Sequence, residues 1–335
     1  EILSESGRIT NLFEHRPSSC FRYSSPPKIS RHLRYYKRRQ NDVVASASKD
    51  REVFPGTFAQ RKGYDYSKST HEIYSVNSTR FAGPFRSSRE KLDYSYHSNY
   101  ADDRRRLQDR IILDILKGQG RSSQKHVKQI GLCNASRWVV FTAGAMGSGK
   151  GYTVKWLSRK DIFPLSSFIW VDPDEIRERL PEWNGYIKSN PLRAARLTNR
   201  ETGMISEIIV QEALRRNQNV LIDGTMRDYQ WYSESIVKLR RHFPEYRIAI
   251  LHIKAPLDKI KDRVKRRAHI TGRVVPEDAI SDSFVAVPNS IRELAPLADF
   301  VAVVSNDIDG EPVLTSPKNP ELFRRQWFEE NDKGK

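Results

Sequence analysis

The sequence Arg137-Trp-Val-Val-Phe-Thr-Ala-Gly-Ala-Met-Gly-Ser-Gly-Lys150 joins an apolar run to a glycine-rich run. The apolar run consists of β-branched and aromatic residues, which predicts a short buried strand. The glycine-rich run has the G-x-x-x-x-G-K spacing of a phosphate-binding loop, from Gly144 to Lys150. Its glycines let backbone N–H groups face phosphate oxygens, and the lysine reaches the β- and γ-phosphates. The stretch therefore predicts a strand, a nucleotide-binding loop and the N-terminus of a helix in succession.

The position after the lysine departs from the usual motif. Ser or Thr is expected there as a Mg²⁺ ligand, whereas this chain has Gly151, followed by Tyr152 and Thr153. Gly-Lys-Gly resembles the loop of adenylate-kinase-like nucleoside monophosphate kinases, which implies a metal held mainly through water and phosphate oxygens. The alternative is that the glycine reflects lost catalysis. The candidate nucleotide-binding residues are Gly144, Ala145, Met146, Gly147, Ser148, Gly149, Lys150, Gly151 and Tyr152.

Charge and tryptophan are unevenly distributed along the 335 residues, whose formal net charge is +17. Residues 1–130 hold 26 Lys+Arg against 14 Asp+Glu, and all six Trp follow them. A segment so basic and so poor in large apolar residues buries little core. We therefore predict a disordered Ser/Tyr/Arg-rich basic arm over residues 1–103 and a helix with a connector over 104–130. An α/β domain over 131–318 and a polar helix or tail over 319–335 complete the predicted organisation.

The predicted arm contains a basic cluster with two tyrosines, Arg31 to Arg39. Such a cluster can bind nucleic acid or an acidic surface weakly, through phosphate contacts and stacking. The alternative is a solvated segment without a partner. Two cysteines and the lack of an apolar run of about 18 residues predict a protein without a disulfide framework or membrane span, located in the cytoplasm. The chain begins at Glu1, so a missing native N-terminus and an organellar transit peptide stay open.

Apolar runs alternate with helical patterns after residue 130. The predicted strands are residues 138–141, 168–171, 219–223, 246–253 and 298–304. Strands separated by helices predict a doubly wound parallel sheet in a three-layer α/β/α domain. Earlier in the chain, apolar residues at helical spacing predict a helix over residues 104–117. Thr198-Asn-Arg-Glu201 has the form of a capping box and predicts the start of a long helix.

Ligands of such sheets bind beyond the carboxyl ends of the strands, where two acidic motifs occur. Asp172-Pro-Asp174 follows the second predicted strand, so Asp172 suits a helix cap and Asp174 is free to accept a hydroxyl proton. Asp223 follows the third strand, as a Walker B aspartate that orients Mg²⁺ does, although it can also make a turn with Gly224. Glu207 lies on the helix before that strand and is a second candidate acid, or a solvated helix residue.

A strongly basic helix lies between residues 257 and 268 and leads into Thr271-Gly-Arg273. Arginines placed over a transferring phosphoryl group stabilise its equatorial oxygens. This pattern predicts a lid in which two of the basic residues contact phosphate and the others form a solvated face.

The domain from about Trp138 to Asn306 resembles the zeta-toxin family of P-loop kinases, and more closely the eukaryotic zeta-toxin-domain proteins. The resemblance rests on Gly144-Ala-Met-Gly-Ser-Gly-Lys150, Val171-Asp-Pro-Asp-Glu-Ile-Arg177, Leu221-Ile-Asp-Gly-Thr-Met-Arg227 and Thr271-Gly-Arg273. It covers half of the chain and none of residues 1–100. Gly151 departs from the Ser/Thr of the bacterial members, which makes the geometry of the metal the least transferable feature.

The resemblance implies roles for individual residues. The base that activates a sugar hydroxyl falls on Asp174, and the two arginines of the γ-phosphate on Arg267 and Arg273. The acidic substrate residue of the family falls on Glu207. Bacterial members phosphorylate UDP-N-acetylglucosamine and are inhibited by an antitoxin. The candidate substrate-binding residues are Glu207, Asp223, Thr225 and Arg227, and the candidate metal-binding residues are Asp223 and Thr153.

The sequence therefore predicts an ATP- or GTP-dependent, Mg²⁺-dependent kinase of a small-molecule hydroxyl, with a sugar nucleotide as one acceptor. A nucleotide or nucleic-acid-end kinase, recruited by the basic arm, is the enzymatic alternative. A nucleotide-binding pseudokinase is the alternative of a different class. The joint presence of Asp174, Glu207 and both arginines favours an enzyme, because a binding module requires none of these residues together.

Overall fold

A computed structural model describes residues 63–78, 80–118, 137–308 and 310–328. The predicted nucleic-acid contacts of Arg31 to Arg39 and the transit-peptide interpretation lie outside these residues. The described residues from Tyr66 onward belong to one compact unit. Within them, no helix combines the length and the apolar character that crossing a membrane requires.

The described residues form short elements up to residue 100 and longer ones after it. The strands are β1 (Ser75–Val76), β2 (Asn99–Tyr100), β3 (Arg137–Ala143), β4 (Phe168–Val171), β5 (Asn219–Ile222), β6 (Tyr246–Lys254), β7 (Phe300–Ser305) and β8 (Val313–Ser316). The helices are α1 (Thr70–Tyr74), α2 (Arg86–Arg89), α3 (Asp102–Leu116), α4 (Lys150–Arg159), α5 (Pro173–Glu178), α6 (Trp183–Ser189), α7 (Ala194–Arg215), α8 (Tyr229–His242), α9 (Leu257–Thr271), α10 (Glu277–Leu294) and α11 (Pro320–Arg324).

The main sheet has six strands in the order β4-β5-β3-β6-β7-β8. Neighbouring strands are parallel except at β8, which runs antiparallel to β7. Every residue of β4 and β5 is buried, as expected of parallel strands covered by helices on both faces. The predicted doubly wound sheet is confirmed, and all five predicted strands are present. β8 was missed because it is short and one of its four residues is buried, so it lacks an apolar pattern.

The two helix starts predicted from capping chemistry have different outcomes. Asp172 caps α5 as predicted, because its carboxylate accepts a 2.8 Å hydrogen bond from the backbone N–H of Asp174. The capping box predicted at Thr198 is wrong. Helix α7 already begins at Ala194, and the Thr198 hydroxyl donates to the Ala194 carbonyl at 3.2 Å, one turn back in the same helix. A Thr hydroxyl inside a helix can donate to a carbonyl oxygen one turn back, so the sequence pattern of a capping box does not by itself define the start of a helix.

Residues 66–118, which we call the N-terminal cover, pack on α7 and α6. The prediction of disorder to residue 103 is wrong for its described part, because Tyr74 and Tyr100 are buried there. The predicted helix over residues 104–117 is confirmed as α3. Charged contacts hold the cover: the guanidinium of Arg104 donates to Glu182 at 2.9 Å and to Glu201 at 2.6 Å, and all three side chains are fully buried. We predicted disorder because this segment has few aliphatic residues. Buried ion pairs supply the contacts that aliphatic residues would otherwise make.

The C-terminal residues also depart from the prediction of a polar tail. Phe323 and Trp327 are buried, and the ring of Trp327 lies 4.9 Å from that of Trp138 in β3. The segment after β8 thus completes the apolar core beneath the sheet. Polar residues between the aromatic ones hid this role in the sequence.

Candidate active site

The predicted phosphate loop has the backbone that its glycines favour. Gly147 and Gly149 adopt φ values of +89° and +86°, which L side chains rarely adopt. A Cβ at Gly149 would lie 2.3 Å from Nδ2 of Asn306, and one at Gly147 would lie 2.6 Å from a methyl group of Val264. Both glycines are therefore required by conformation and by space.

Hydrogen bonds fix the loop between β3 and α4. The ammonium group of Lys150 donates to the carbonyl oxygens of Gly144 at 3.1 Å and Ala145 at 3.4 Å. The side-chain amide of Asn306, just after β7, donates to the Ser148 carbonyl at 2.8 Å. Burial lowers the pKa of Lys150, and the negative charge of Asp223 opposes that effect. The ammonium group of Lys150 thus lies against the loop backbone, within reach of a phosphate bound by the same loop.

Three residues at the start of α4 were predicted to contribute to the site. Gly151 is not required by space, because an added Cβ would lie 3.7 Å from the ring of Trp170, an ordinary contact distance. Tyr152 is exposed, and its hydroxyl donates to the Gly310 carbonyl at 2.9 Å. Thr153, predicted as a metal ligand, is fully buried, and its hydroxyl has no hydrogen-bond partner among the described residues; its metal role stays a prediction.

Asp174 lies in the first turn of α5 and is bonded to two arginines. One carboxylate oxygen accepts from Nη1 of Arg177 and the other from Nη1 of Arg273. Burial raises the pKa of this carboxyl, but the charges of Arg273 and Arg177 outweigh it, so that its pKa lies below the usual value. Asp174 is therefore ionised in this structure, and neither of its oxygens is without a donor.

Asp172 and Asp223 are the other two acids at the strand ends. Burial raises the pKa of Asp172, and the nearby charges of Asp223 and Asp174 raise it further. Asp223 accepts a 2.7 Å hydrogen bond from the hydroxyl of Thr142. Burial also raises its pKa, against the opposing charge of Lys150. The carboxyl ends of β3, β4 and β5 are adjacent in the sheet, and this adjacency brings the loop and the three acids together.

The basic helix predicted as a lid is α9, and it covers the same region. It ends at Thr271 and is capped by Gly272, whose φ is +73°; Arg273 follows in the turn toward α10. Burial lowers the pKa of Arg267, and the charge of Arg273 lowers it further, whereas Asp174 raises it. Both predicted arginines therefore lie in the charge cluster of Asp174.

The structure does not bring every predicted residue to this cluster. Glu207 is buried in α7, and its carboxylate lies 3.1 Å from Nε2 of His97 in the N-terminal cover. The predicted substrate contact of Glu207 is thus replaced here by a contact within the protein. Thr225 contributes its carbonyl, which accepts from the N–H of Gly144 at 3.1 Å. Arg227 is half-buried; burial lowers its pKa, and Asp282 opposes this.

Two residues of the site were not predicted. Arg177 lies three residues after Asp174 on the same helix, and this i, i+3 spacing is a signal that could have identified it. Asn306 directly follows β7, a position where the strand-end rule could have found it. Neither residue type is specific enough by itself to be selected without the fold.

The family described as Zeta toxin matches residues 128–317, more than half of the chain. The structure of the AvrRxo1-ORF1:AvrRxo1-ORF2 complex with sulphate ions is similar in fold, with a TM-score of 0.51 and 20% identity over 74% of this chain and 76% of that chain. The PezAT toxin-antitoxin system of Streptococcus pneumoniae is matched with a TM-score of 0.49 and 18% identity, over 69% of this chain and 90% of that chain. No curated protein matches the chain.

Proposed function

This chain belongs to the zeta toxin family, and we propose that it is a kinase that transfers the γ-phosphoryl group of ATP or GTP to a hydroxyl group of a small molecule. The observation that carries the proposal is the convergence of the phosphate loop, Asp174 and the two lid arginines at one edge of the sheet. Phosphoryl transfer depends mainly on positioning and on neutralising charge, and this group of residues offers both.

In the proposed reaction, the backbone N–H groups of the loop and Lys150 bind the β- and γ-phosphates. Asp174 accepts the proton of the attacking hydroxyl as its oxygen bonds to the γ-phosphorus. The bond from that phosphorus to the bridging oxygen breaks, and the nucleoside diphosphate leaves with the electron pair. Arg267 and Arg273 stabilise the charge on the equatorial oxygens.

The residues present also fit a magnesium ion, with Asp223 as the protein contribution. Its half-buried carboxylate has a pKa that burial and the charge of Asp174 raise, and the positive charge of a hydrated cation would oppose that effect. Mg²⁺, when bound, would neutralise the phosphate oxygens. Gly151 provides no hydroxyl and Thr153 is buried, so we assign the ion no ligand from α4.

For the acceptor we propose a sugar nucleotide such as UDP-N-acetylglucosamine. The support is family membership together with the placement of Asp174, a base for a hydroxyl. Glu207, the residue to which the resemblance gave a substrate role, contacts the acceptor in this proposal only if His97 moves away from it.

The experiment that tests the proposed function uses γ-labelled ATP, γ-labelled GTP and a metabolite extract. We expect one labelled small molecule in the presence of the wild type and none with Lys150→Ala, which lacks the positive charge of the loop. UDP-N-acetylglucosamine alone tests the finer proposal. A wild type that labels nothing in any extract, while still binding nucleotide, would contradict kinase activity and support a pseudokinase.

A nucleic-acid end is a second candidate acceptor, because the predicted lid helix α9 exposes Lys265, Arg266 and His269 on its outer face. Phosphates of a nucleic acid bind such a face in a salt-dependent manner. RNA and DNA oligonucleotides with 5′-hydroxyl ends, added to the same assay, test it. Labelled oligonucleotide without any labelled metabolite would replace the small-molecule proposal.

A further inference from the structure

The two arginines on Asp174 are held in different ways. Arg177 has a side chain that is 6% exposed, whereas that of Arg273 is 20% exposed. Besides its bond to Asp174, Arg177 donates from Nε to the Thr198 hydroxyl and from Nη2 to the side-chain oxygen Oδ1 of Asn199, both at 3.3 Å. Its guanidinium carbon also lies 5.9 Å from the centre of the Trp183 ring. Each of the three guanidinium nitrogens of Arg177 therefore has its own hydrogen-bond acceptor.

The side chain of Arg273 has fewer hydrogen-bond partners than that of Arg177. Among the described residues, its guanidinium forms no hydrogen bond other than the one to Asp174. Its backbone follows two exposed residues, Thr271 at the end of α9 and the capping residue Gly272. A side chain with one partner at the end of a short turn can exchange that partner at little cost, whereas one with three partners on two helices cannot.

We propose that Arg177 is the positioning residue of Asp174, and that Arg273 is an exchangeable partner which leaves for the phosphates of the nucleotide. Arg177 stays bonded to one carboxylate oxygen of Asp174. Its own hydrogen bonds to α7 fix the orientation of that carboxylate. The departure of Arg273 exposes the other oxygen to the acceptor hydroxyl. This inference rests on the proposed function for the role of Asp174, but the exchange itself is a property of the resting protein.

The exchange has two consequences for the chemistry. Without nucleotide, Arg273 covers the oxygen that would activate a hydroxyl or a water molecule, so the base is held inactive. With nucleotide, the loss of one positive neighbour raises the pKa of Asp174, which makes it a stronger proton acceptor. Nucleotide binding would therefore precede productive binding of the acceptor.

The charged groups that face Asp174 must all be considered in a titration. They are Asp172 and Arg177 from α5 and its cap, Arg267 and Arg273 from α9 and the turn after it, Asp223 after β5, and Lys150 of the loop. Substituting one arginine at a time leaves the other five groups in place, so a change in the pKa of Asp174 reports on that arginine.

The test is a carboxyl ¹³C NMR titration of Asp174 in the full chain, with the signal assigned by its absence in Asp174→Asn. We expect the Asp174 signal of the wild type to stay that of a carboxylate down to the pH at which the protein unfolds, and to begin to titrate at a higher pH in both Arg177→Met and Arg273→Met. Arg179→Met is the matched control, because Arg179 lies at the end of the same helix and pairs with Glu175 and Asp114 instead. An unchanged pKa in Arg177→Met would overturn the positioning role. Arg177→Gln, which keeps a polar side chain for Thr198 and Asn199, gives the same test if Arg177→Met does not fold.

The exchange is tested by repeating the titration with a saturating non-hydrolysable ATP analogue. The phosphates raise the pKa of Asp174 in any variant, so the expected result is a larger rise in the wild type than in Arg273→Met, which has no arginine to release. Equal rises in both proteins would overturn the exchange. Neither titration requires phosphoryl transfer, so failure of this inference is distinguishable from failure of the proposed kinase activity.

Discussion

The two sides of the candidate site are built by different kinds of interaction. On the side proposed to bind phosphate, which we call the phosphate side, one continuous segment from β3 to α4 supplies the loop, and backbone conformation at Gly147 and Gly149 gives it its shape. On the side proposed to bind the acceptor, which we call the acceptor side, α5 and α7 carry Asp174 and the anchors of Arg177, and residues far away in sequence support these helices. Arg104 of the N-terminal cover binds Glu201 of α7 and Glu182, which directly precedes α6. A local motif is thus sufficient for one side, whereas the other depends on long-range buried charge.

If this comparison is right, the acceptor side cannot fold without the cover. We expect a fragment of residues 120–335 to lose cooperative unfolding, because buried Glu182 and Glu201 would lack their cation and the apolar face of α7 would be exposed. Thermal unfolding by circular dichroism and calorimetry, against the full chain, measures this. A fragment that unfolds cooperatively at the melting temperature of the full chain would show that the cover is an accessory.

A second prediction concerns the two acids of the same motif. Asp174→Asn keeps the shape of the side chain but cannot accept a proton, so phosphoryl transfer should fall by roughly 10²–10⁴. Nucleotide binding, which belongs to the phosphate side, should persist. Asp172→Asn should cost far less, because asparagine also caps a helix. Transfer rates to the acceptor identified in extracts, with nucleotide affinity measured in parallel, check both. Reversed effects of the two variants would exchange the roles of cap and base.

Arg104→Met should reduce the free energy of unfolding by about 3–5 kcal/mol, since it leaves two buried carboxylates without a cation. Arg106→Met is the matched control: Arg106 lies on the same helix, its side chain is 73% exposed, and it pairs with Asp103 at the surface. Denaturant unfolding of both variants provides the measurement. A loss as small as that of the control would mean that the ion network contributes little to folding.

The same network predicts a dependence of stability on pH. Burial raises the pKa of Glu201, but Arg104 outweighs it and the pKa lies below the usual value of 4.5. A carboxyl with a lowered folded-state pKa contributes stability above its unfolded pKa and loses that contribution as the pH falls through the folded-state pKa. We expect wild-type stability to fall below about pH 4.5, and we expect this acid-dependent loss to be smaller in Arg104→Met. Urea unfolding between pH 3 and pH 7 tests this, and parallel curves for the two proteins would contradict it.

The smallest effect is expected on the phosphate side, at Gly151. A serine there has room beside Trp170, since the added Cβ meets only an ordinary contact, and a helix interior favours serine slightly over glycine. We expect Gly151→Ser to fold normally, and to bind Mg²⁺–nucleotide as well as the wild type or a few-fold more tightly, since its hydroxyl offers one more oxygen ligand. Metal-dependent nucleotide affinity is the measurement. A loss of nucleotide binding would show that glycine is required at this position for a reason other than space.

The features that could be predicted from the sequence lie mostly on the phosphate side, and those that could not lie mostly elsewhere. The loop backbone, the five strands of the parallel sheet and the cap at Asp172 depend on short patterns with one physical meaning, and they were predictable. The contact of Glu207 with His97 and the buried position of Arg104 were not, because a charged residue on a helix is usually solvated and only the partner element reverses that expectation. The same reason explains the C-terminal segment, where isolated aromatic residues such as Trp327 fill a core that no local pattern indicates.

The packing of Trp170 against Gly151 has an optical consequence. The indole is 7% exposed, its Nε1 has no hydrogen-bond partner among the described residues, and the ammonium group of Lys155 lies 5.5 Å from the ring centre. Indole emission responds to nearby charge, so phosphates arriving at the start of α4 would change its wavelength or intensity. The protein therefore carries its own fluorophore beside the phosphate loop, and subtracting the spectrum of Trp170→Phe would isolate that signal from those of the other tryptophans.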